Sequence, residues 1–123
     1  EAVSSYVSVL NDCAYSYANH WKNAAHLIGD ADRAGEIETA LQARKPEQAF
    51  KGAELALMRY AEKLTLSPGD MVEADVAALR DAGLDDGAIL EANQIICYFN
   101  YVNRSINGLG VTTAGDIVGY YAD

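Results

Sequence analysis

The sequence predicts an all-α fold, a compact bundle of about six helices, and three observations carry that expectation. Apolar residues recur at helical spacing through most of the 123 positions. Only two prolines interrupt them. No Asn-Gly or Asp-Gly pair sits between alternating apolar runs, the arrangement a tight β-hairpin requires. The hydrophobic content of 50% is ample for a core at this length, and the span 1–123 reads as one domain.

Each element has its own signature. Val3, Tyr6, Val7 and Leu10 follow helical spacing, although the Val7-Ser8-Val9 alternation also fits a strand; the helical reading is preferred. Asn11-Asp12 is turn and cap chemistry that ends this helix and starts a second, from about Cys13 to Ile28, with Gly29 as its left-handed stop. Asp30 or Asp32 caps a third helix through Ile37 and Leu41, whose thin apolar stripe predicts a surface position. Pro46 suits the first turn of a fourth, a core element carried by Phe50, Ala53, Leu57, Met58, Ala61 and Leu64 to the Ser67-Pro68-Gly69 break. Asp70 caps a short fifth helix with Val72, Val76 and Leu79 inward, ended by Gly83. Asp85 caps the last long helix, in which Ile89, Ala92, Ile96, Phe99 and Ile106 form one apolar side and Leu90, Cys97 and Tyr101 a second, before Gly108 and Gly110 end it. A helix apolar on two sides is central in its fold or shared with another copy, which predicts a homo-oligomer. The Tyr120-Tyr121 tail carries no pattern.

The formal charge of −9, from 18 acidic and 9 basic residues, excludes nucleic acid as a partner and disfavours an anionic membrane surface. No apolar run approaches the ~20 residues of a spanning helix, and no basic-plus-apolar leader opens the chain. A soluble, cytoplasmic protein is expected. Two cysteines far apart in sequence do not make a disulfide framework, though a Cys13–Cys97 bridge stays open. Glu1 stands first with no methionine before it, so the chain reads as processed, trimmed or partial.

The stretch Asn11 to His20 holds the densest chemistry. At helical spacing Cys13, Ser16 and His20 fall within a sector of roughly 60°, so a thiol, a hydroxyl and an imidazole line one edge. The free N–H groups of a first helical turn favour anionic sulfur there. The broad apolar face of the same helix, Ala14, Tyr17, Ala18, Trp21, Ala24, Ala25 and Ile28, puts that edge on its flank, half buried. The plain alternative is a small core cysteine near a surface imidazole. His26 points elsewhere and reads as a surface residue. Cys97, in an apolar run, reads as an inert buried thiol rather than a second redox centre, and Asn103-Arg104 as structural. Two histidines with one cysteine lack zinc-site spacing, so no metal and no cofactor are expected.

Several segments together resemble the alkylhydroperoxidase-D-like / carboxymuconolactone decarboxylase superfamily, in its peroxidase-related branch. They are Val-Leu-Asn-Asp-Cys-Ala-Tyr-Ser-Tyr-Ala-Asn-His at the site, Arg-Tyr-Ala-Glu-Lys-Leu-Thr at 59–65 and Ala-Asp-Val-Ala-Ala-Leu-Arg-Asp-Ala-Gly-Leu at 74–84. Tyr-Phe-Asn-Tyr-Val-Asn-Arg at 98–104 and the following Gly-Leu-Gly-Val complete the set. The resemblance implies an alkylhydroperoxidase-D-like domain, all-α and homo-oligomeric, commonly with more helical residues upstream. It also implies a small peroxide substrate and a thiol reductant.

The motif of that family is a glutamate twelve residues before a Cys-x-x-Cys, with a histidine four residues after the second cysteine. Glu1, Cys13 and His20 match it, whereas Ser16 stands at the second cysteine. In the family that second cysteine attacks peroxide, the first condenses with its sulfenic acid, and glutamate and histidine relay protons. A serine hydroxyl is neither acidic nor oxidisable by peroxide, so a two-cysteine cycle is impossible here. Ser16 is either an introduced substitution or a natural variation. Glu1 has a plainer reading too, as an acid at a helix start. The alternatives are a decarboxylase-like lyase, for which Lys22 and Arg104 are the nearby cations, and a catalytically silent assembly domain, which Ser16 favours.

Overall fold

Two hydrophobic clusters meet along one short helix, and that helix organises the bundle. The structure, a computed structural model, describes residues 1–121, so the end of the expected span 1–123 lies outside the described residues. Among these are six α-helices and no strand: α1 (Ala2–Leu10), α2 (Ala14–Ile28), α3 (Ala31–Gln42), α4 (Gly52–Leu66), α5 (Glu73–Asp81) and α6 (Asp86–Leu109). Short 3₁₀ turns at Pro46–Gln48 and Pro68–Asp70 precede α4 and α5. No helix is long and apolar enough to cross a membrane.

The central helix is α1, which packs against α2, α3, α4 and α6. Tyr6 and Leu10 join Trp21, Ile37, Leu41, Phe50 and Met58 in one cluster. Val7, the next residue after Tyr6, joins Tyr60, Leu79, Ile89, Ile96 and Phe99 in the other. A helix buried on several sides can tolerate serine only where each hydroxyl finds a partner. In α1 the Ser5 and Ser8 hydroxyls donate to the carbonyls of Glu1 and Ser4 one turn back, at 2.9 and 2.8 Å. Small, self-satisfied side chains let neighbouring helices approach closely.

Two of these expectations, at Pro46 and at Asp70, are corrected. α3 lies at the surface as its thin stripe predicts, with Ile37 and Leu41 of that stripe buried against α1 and α2 and its polar face exposed. The helix expected from Pro46 begins at Gly52 instead; Pro46 opens a 3₁₀ turn, after which an extended Lys51 and Gly52 at φ 54° redirect the chain and bury Phe50. Asp70 lies in a 3₁₀ turn and does not cap α5; Asp75 does so from within, accepting the Val72 N–H at 2.8 Å, and Val72 points outward. The second side of α6 is open in the single chain, with Leu90 58% and Tyr101 72% exposed and Cys97 exposed between them.

The other cap and stop signals form as the sequence predicts, except that Asn11-Asp12 makes the turn without a side-chain cap for α2. Asp85 accepts the Ala88 N–H at 2.8 Å, and Gly29 and Gly110 take left-handed conformations after α2 and α6.

Candidate active site

The turn between α1 and α2 is tight and strained, and it places Cys13. Asp12 adopts φ 50°, a left-handed value that aspartate tolerates better than most residues. The Cys13 N–H can then reach back to the Ser8 carbonyl at 2.9 Å. Arg44 braces the turn from outside, donating to the Val9 carbonyl and to Asp12 Oδ1, each at 3.3 Å. Cys13 is the N-cap residue of α2, immediately ahead of the first turn, and no side chain caps that helix.

Cys13 is 1% exposed and lines an open cavity of about 280 Å³ with Ser8, Val9, Asp12, Ala14, Tyr17 and Gln42. At its rim the Tyr17 hydroxyl donates to Glu38 Oε1 and accepts from Gln42 Nε2, both at 2.9 Å. Burial, reinforced by Glu38, pushes the Tyr17 phenol up to about 12 even though the Gln42 donor opposes the shift.

Ser16 is 2% exposed, deeper than the half-buried flank its helix pattern predicts. Its Oγ lies 2.8 Å from Ser8 Oγ, and Asn103 Nδ2 donates to Ser8 Oγ at 3.4 Å. Ser8 has one proton, already given to the Ser4 carbonyl, so Ser16 supplies the proton of the Ser8–Ser16 bond. The buried face of α2 is therefore centred on the polar stripe. Ala14, central to the predicted apolar face, is exposed, while Asn23 is buried.

Glu1 is the N-cap residue of α1, yet its carboxylate makes no cap. It turns instead to His20 Nδ1 at 2.8 Å, with the two side chains 31% and 27% exposed. The edge of Phe99 or of the imidazole meets the other ring at right angles, centroids 4.5 Å apart, fixing the orientation of His20. Of the four residues nominated from sequence, Glu1 and His20 touch each other, and Cys13 and Ser16 both adjoin Ser8. No side-chain hydrogen bond among the described residues joins the Glu1–His20 pair to Cys13 or Ser16. Along the helix axis His20 is ~6 Å from Ser16 and ~10 Å from Cys13.

Sequence reasoning missed the asparagine ladder behind the site. Asn11 Nδ2 donates to Asn100 Oδ1 and Asn103 Oδ1 at 3.0 and 3.2 Å, and Asn107 Nδ2 to the Asn11 carbonyl at 3.0 Å. Asn100 in turn donates to Thr65 Oγ1 at 3.0 Å. The signal was present, because Asn93, Asn100, Asn103 and Asn107 recur at helical spacing among the apolar residues of the last helix. The tail was also illegible: the Gly119 and Tyr120 N–H groups donate to Asn19 and Asn23 at 2.9 and 2.7 Å, and Tyr121 stacks on the exposed His26.

Cys97 is not the buried thiol its apolar surroundings predict; it is exposed, and both cysteines are free. Lys22 runs beside Gly119 and Arg104 binds Asn100, so neither cation lines the Cys13 cavity. Among the described residues no three His, Cys, Asp or Glu side chains gather as metal ligands.

No protein-family model and no curated protein matches the chain. Among solved structures it is similar to an uncharacterized peroxidase-related protein from Silicibacter sp. TM1040, with 22% identity and a TM-score of 0.80. The match covers 90% of this chain and 56% of that one, so the chain spans little more than half the length of its structural neighbour. At this identity the likeness is one of fold: the chain has the all-α fold of a peroxidase-related protein.

Proposed function

We propose that the chain is a thiol-dependent hydroperoxide reductase scaffold of the alkylhydroperoxidase-D-like kind, with Cys13 as its one site thiol and turnover impaired by Ser16. The Glu1–His20 contact carries this reading. A carboxylate and an imidazole, distant in sequence and on different helices, meet at 2.8 Å on the helix that begins with a cysteine. Such a pair orients an imidazole for proton transfer.

The chemistry open to Cys13 is a one-thiol cycle. The Cys13 thiol gives its proton to solvent and its sulfur attacks the terminal oxygen of a hydroperoxide; the S–O bond forms as the O–O bond breaks, and the alkoxide leaves with the electron pair and takes a proton back from solvent. Cys13 becomes a sulfenic acid. An external thiol condenses with it, releasing water and leaving a mixed disulfide, and a second external thiol regenerates Cys13 and departs as the disulfide. His20 stands one turn from position 16 and two turns from Cys13, so the proton pair serves the position that holds a serine. The impairment follows from that offset.

Exposure to a small hydroperoxide with a sulfenic-acid trap, followed by peptide mass spectrometry, tests the reading. The trap is expected on the peptide that holds Cys13, read separately from exposed Cys97, and that peptide stays unlabelled in the Cys13→Ala variant. Cys13 left unmodified at millimolar peroxide excludes it. The fully bonded, buried Ser16 favours a second reading, a silent assembly domain, and that outcome would support it.

A further inference from the structure

A second cavity of about 280 Å³ opens on the outer side of α6, lined by Leu64, Thr65, Pro68, Cys97, Asn100, Tyr101 and Arg104. We propose that it takes a small disulfide whose thiol half carries a carboxylate, with Arg104 holding the carboxylate and Cys97 capturing the thiol as a mixed disulfide. This does not rest on any reaction at Cys13.

The argument starts from charge. In a chain of net charge −9, an arginine usually finds an acid, and Arg33, Arg44, Arg59 and Arg80 each do. Arg104 has no carboxylate within ion-pair distance among the described residues. Its guanidinium is nevertheless fixed, because Nη1 donates to the Asn100 carbonyl and to Asn100 Oδ1 at 3.1 and 2.7 Å. Asn100 is itself tied to Thr65 and to the Ile96 carbonyl. Nη2 and Nε keep their donors for a ligand, in the planar fork that suits a carboxylate.

The thiol stands at the other end. Cys97 and Arg104 are seven residues apart, on one face of α6 and ~10 Å apart along its axis. The Cys97 thiol is exposed, its sulfur 3.8 Å from Asn93 Oδ1 on the preceding turn. Between thiol and guanidinium the walls are largely apolar, from Leu64 and Pro68 with the Tyr101 ring at the edge, and the two polar side chains there, Asn100 and Thr65, are bonded to each other. A cation, an apolar stretch and a thiol in that order match a thiol compound with a short spacer to a carboxylate, not a dithiol or a cationic amine.

The step is thiol–disulfide exchange. The Cys97 thiol releases its proton to water, its sulfur attacks one sulfur of the incoming disulfide, the new S–S bond forms as the old one breaks, and the other half leaves as thiolate with the electron pair. Cys97 is oxidised to the disulfide level and the departing half is reduced.

The test compares three disulfides on the intact chain, with rates at Cys97 read by peptide mass spectrometry: glutathione disulfide (anionic), 2-hydroxyethyl disulfide (neutral) and cystamine (cationic). The overall charge of the chain alone would favour cystamine. The proposal expects glutathione disulfide to outpace cystamine at Cys97 roughly five- to tenfold, and this preference to reverse in Arg104→Gln but persist in Arg104→Lys. Cystamine outpacing glutathione disulfide in the unaltered chain overturns it, as does a preference that survives Arg104→Gln. A second copy seated on α6, as the two apolar sides of that helix lead one to expect, would block all three reagents, and that outcome also overturns it.

Discussion

Ser8 Oγ and Ser16 Oγ lie 2.8 Å apart between α1 and α2, with Asn103 completing the cluster from α6. Removing one member strands the others out of reach of water. Ser8→Ala is expected to cost about 1–3 kcal/mol, since Ser16 and Asn103 are left buried without that partner. The Ser8→Ala, Ser16→Ala double variant should cost less than the sum of the single variants, which denaturant titration of all three against the parent chain measures.

Ser16→Cys should raise hydroperoxide turnover with dithiol reductants by orders of magnitude. Position 16 is one turn from His20 and three residues from Cys13, close enough for the two sulfurs to join with modest local adjustment. A steady-state assay of both forms decides it. Equal rates would mean that the chemistry does not pass through position 16.

In that Ser16→Cys background, Glu1→Gln or His20→Gln should lower turnover by roughly 10²-fold, the lower range of general acid–base contributions. In the unaltered chain the same changes should scarcely alter the rate of Cys13 oxidation, because the pair stands two turns away. Stopped-flow oxidation rates of the six proteins, each background alone and with either change, distinguish the cases.

Asp75 gives a pH dependence unrelated to the site. The Lys63 ammonium, at 2.9 and 2.8 Å from its two oxygens, and the Val72 N–H hold its carboxyl below the ordinary 3.8. A carboxyl depressed in the folded state binds fewer protons than the unfolded chain as acid is added. Its stabilisation is full above the ordinary carboxylate range and is lost as pH falls through the lowered folded value. Asp75→Asn should therefore lower the denaturation midpoint at pH 7, with the difference from the parent chain shrinking below about pH 4.

Periodicity and local chemistry determined the helices by themselves. The apolar spacing of α1, α2, α4 and α6, the Asp85 cap and the Gly29 and Gly110 stops are all interactions within a few residues, so the sequence displays them directly. The same holds for the order in which a cysteine, a hydroxyl and a histidine lie along α2. Tertiary structure alone decided which face of α2 is buried. Counting apolar residues assigns alanine to the core and serine to the flank, but a hydroxyl can be buried wherever a partner waits, and Ser8 and Asn103 come from helices whose proximity no local pattern reveals. Pro46 likewise fits a 3₁₀ turn and an α-helix equally well until the burial of Phe50 selects the former. Cys97 reversed its expected place for the converse reason: an apolar neighbourhood in sequence is covered only where another element lies over it, and no described helix lies over that side of α6.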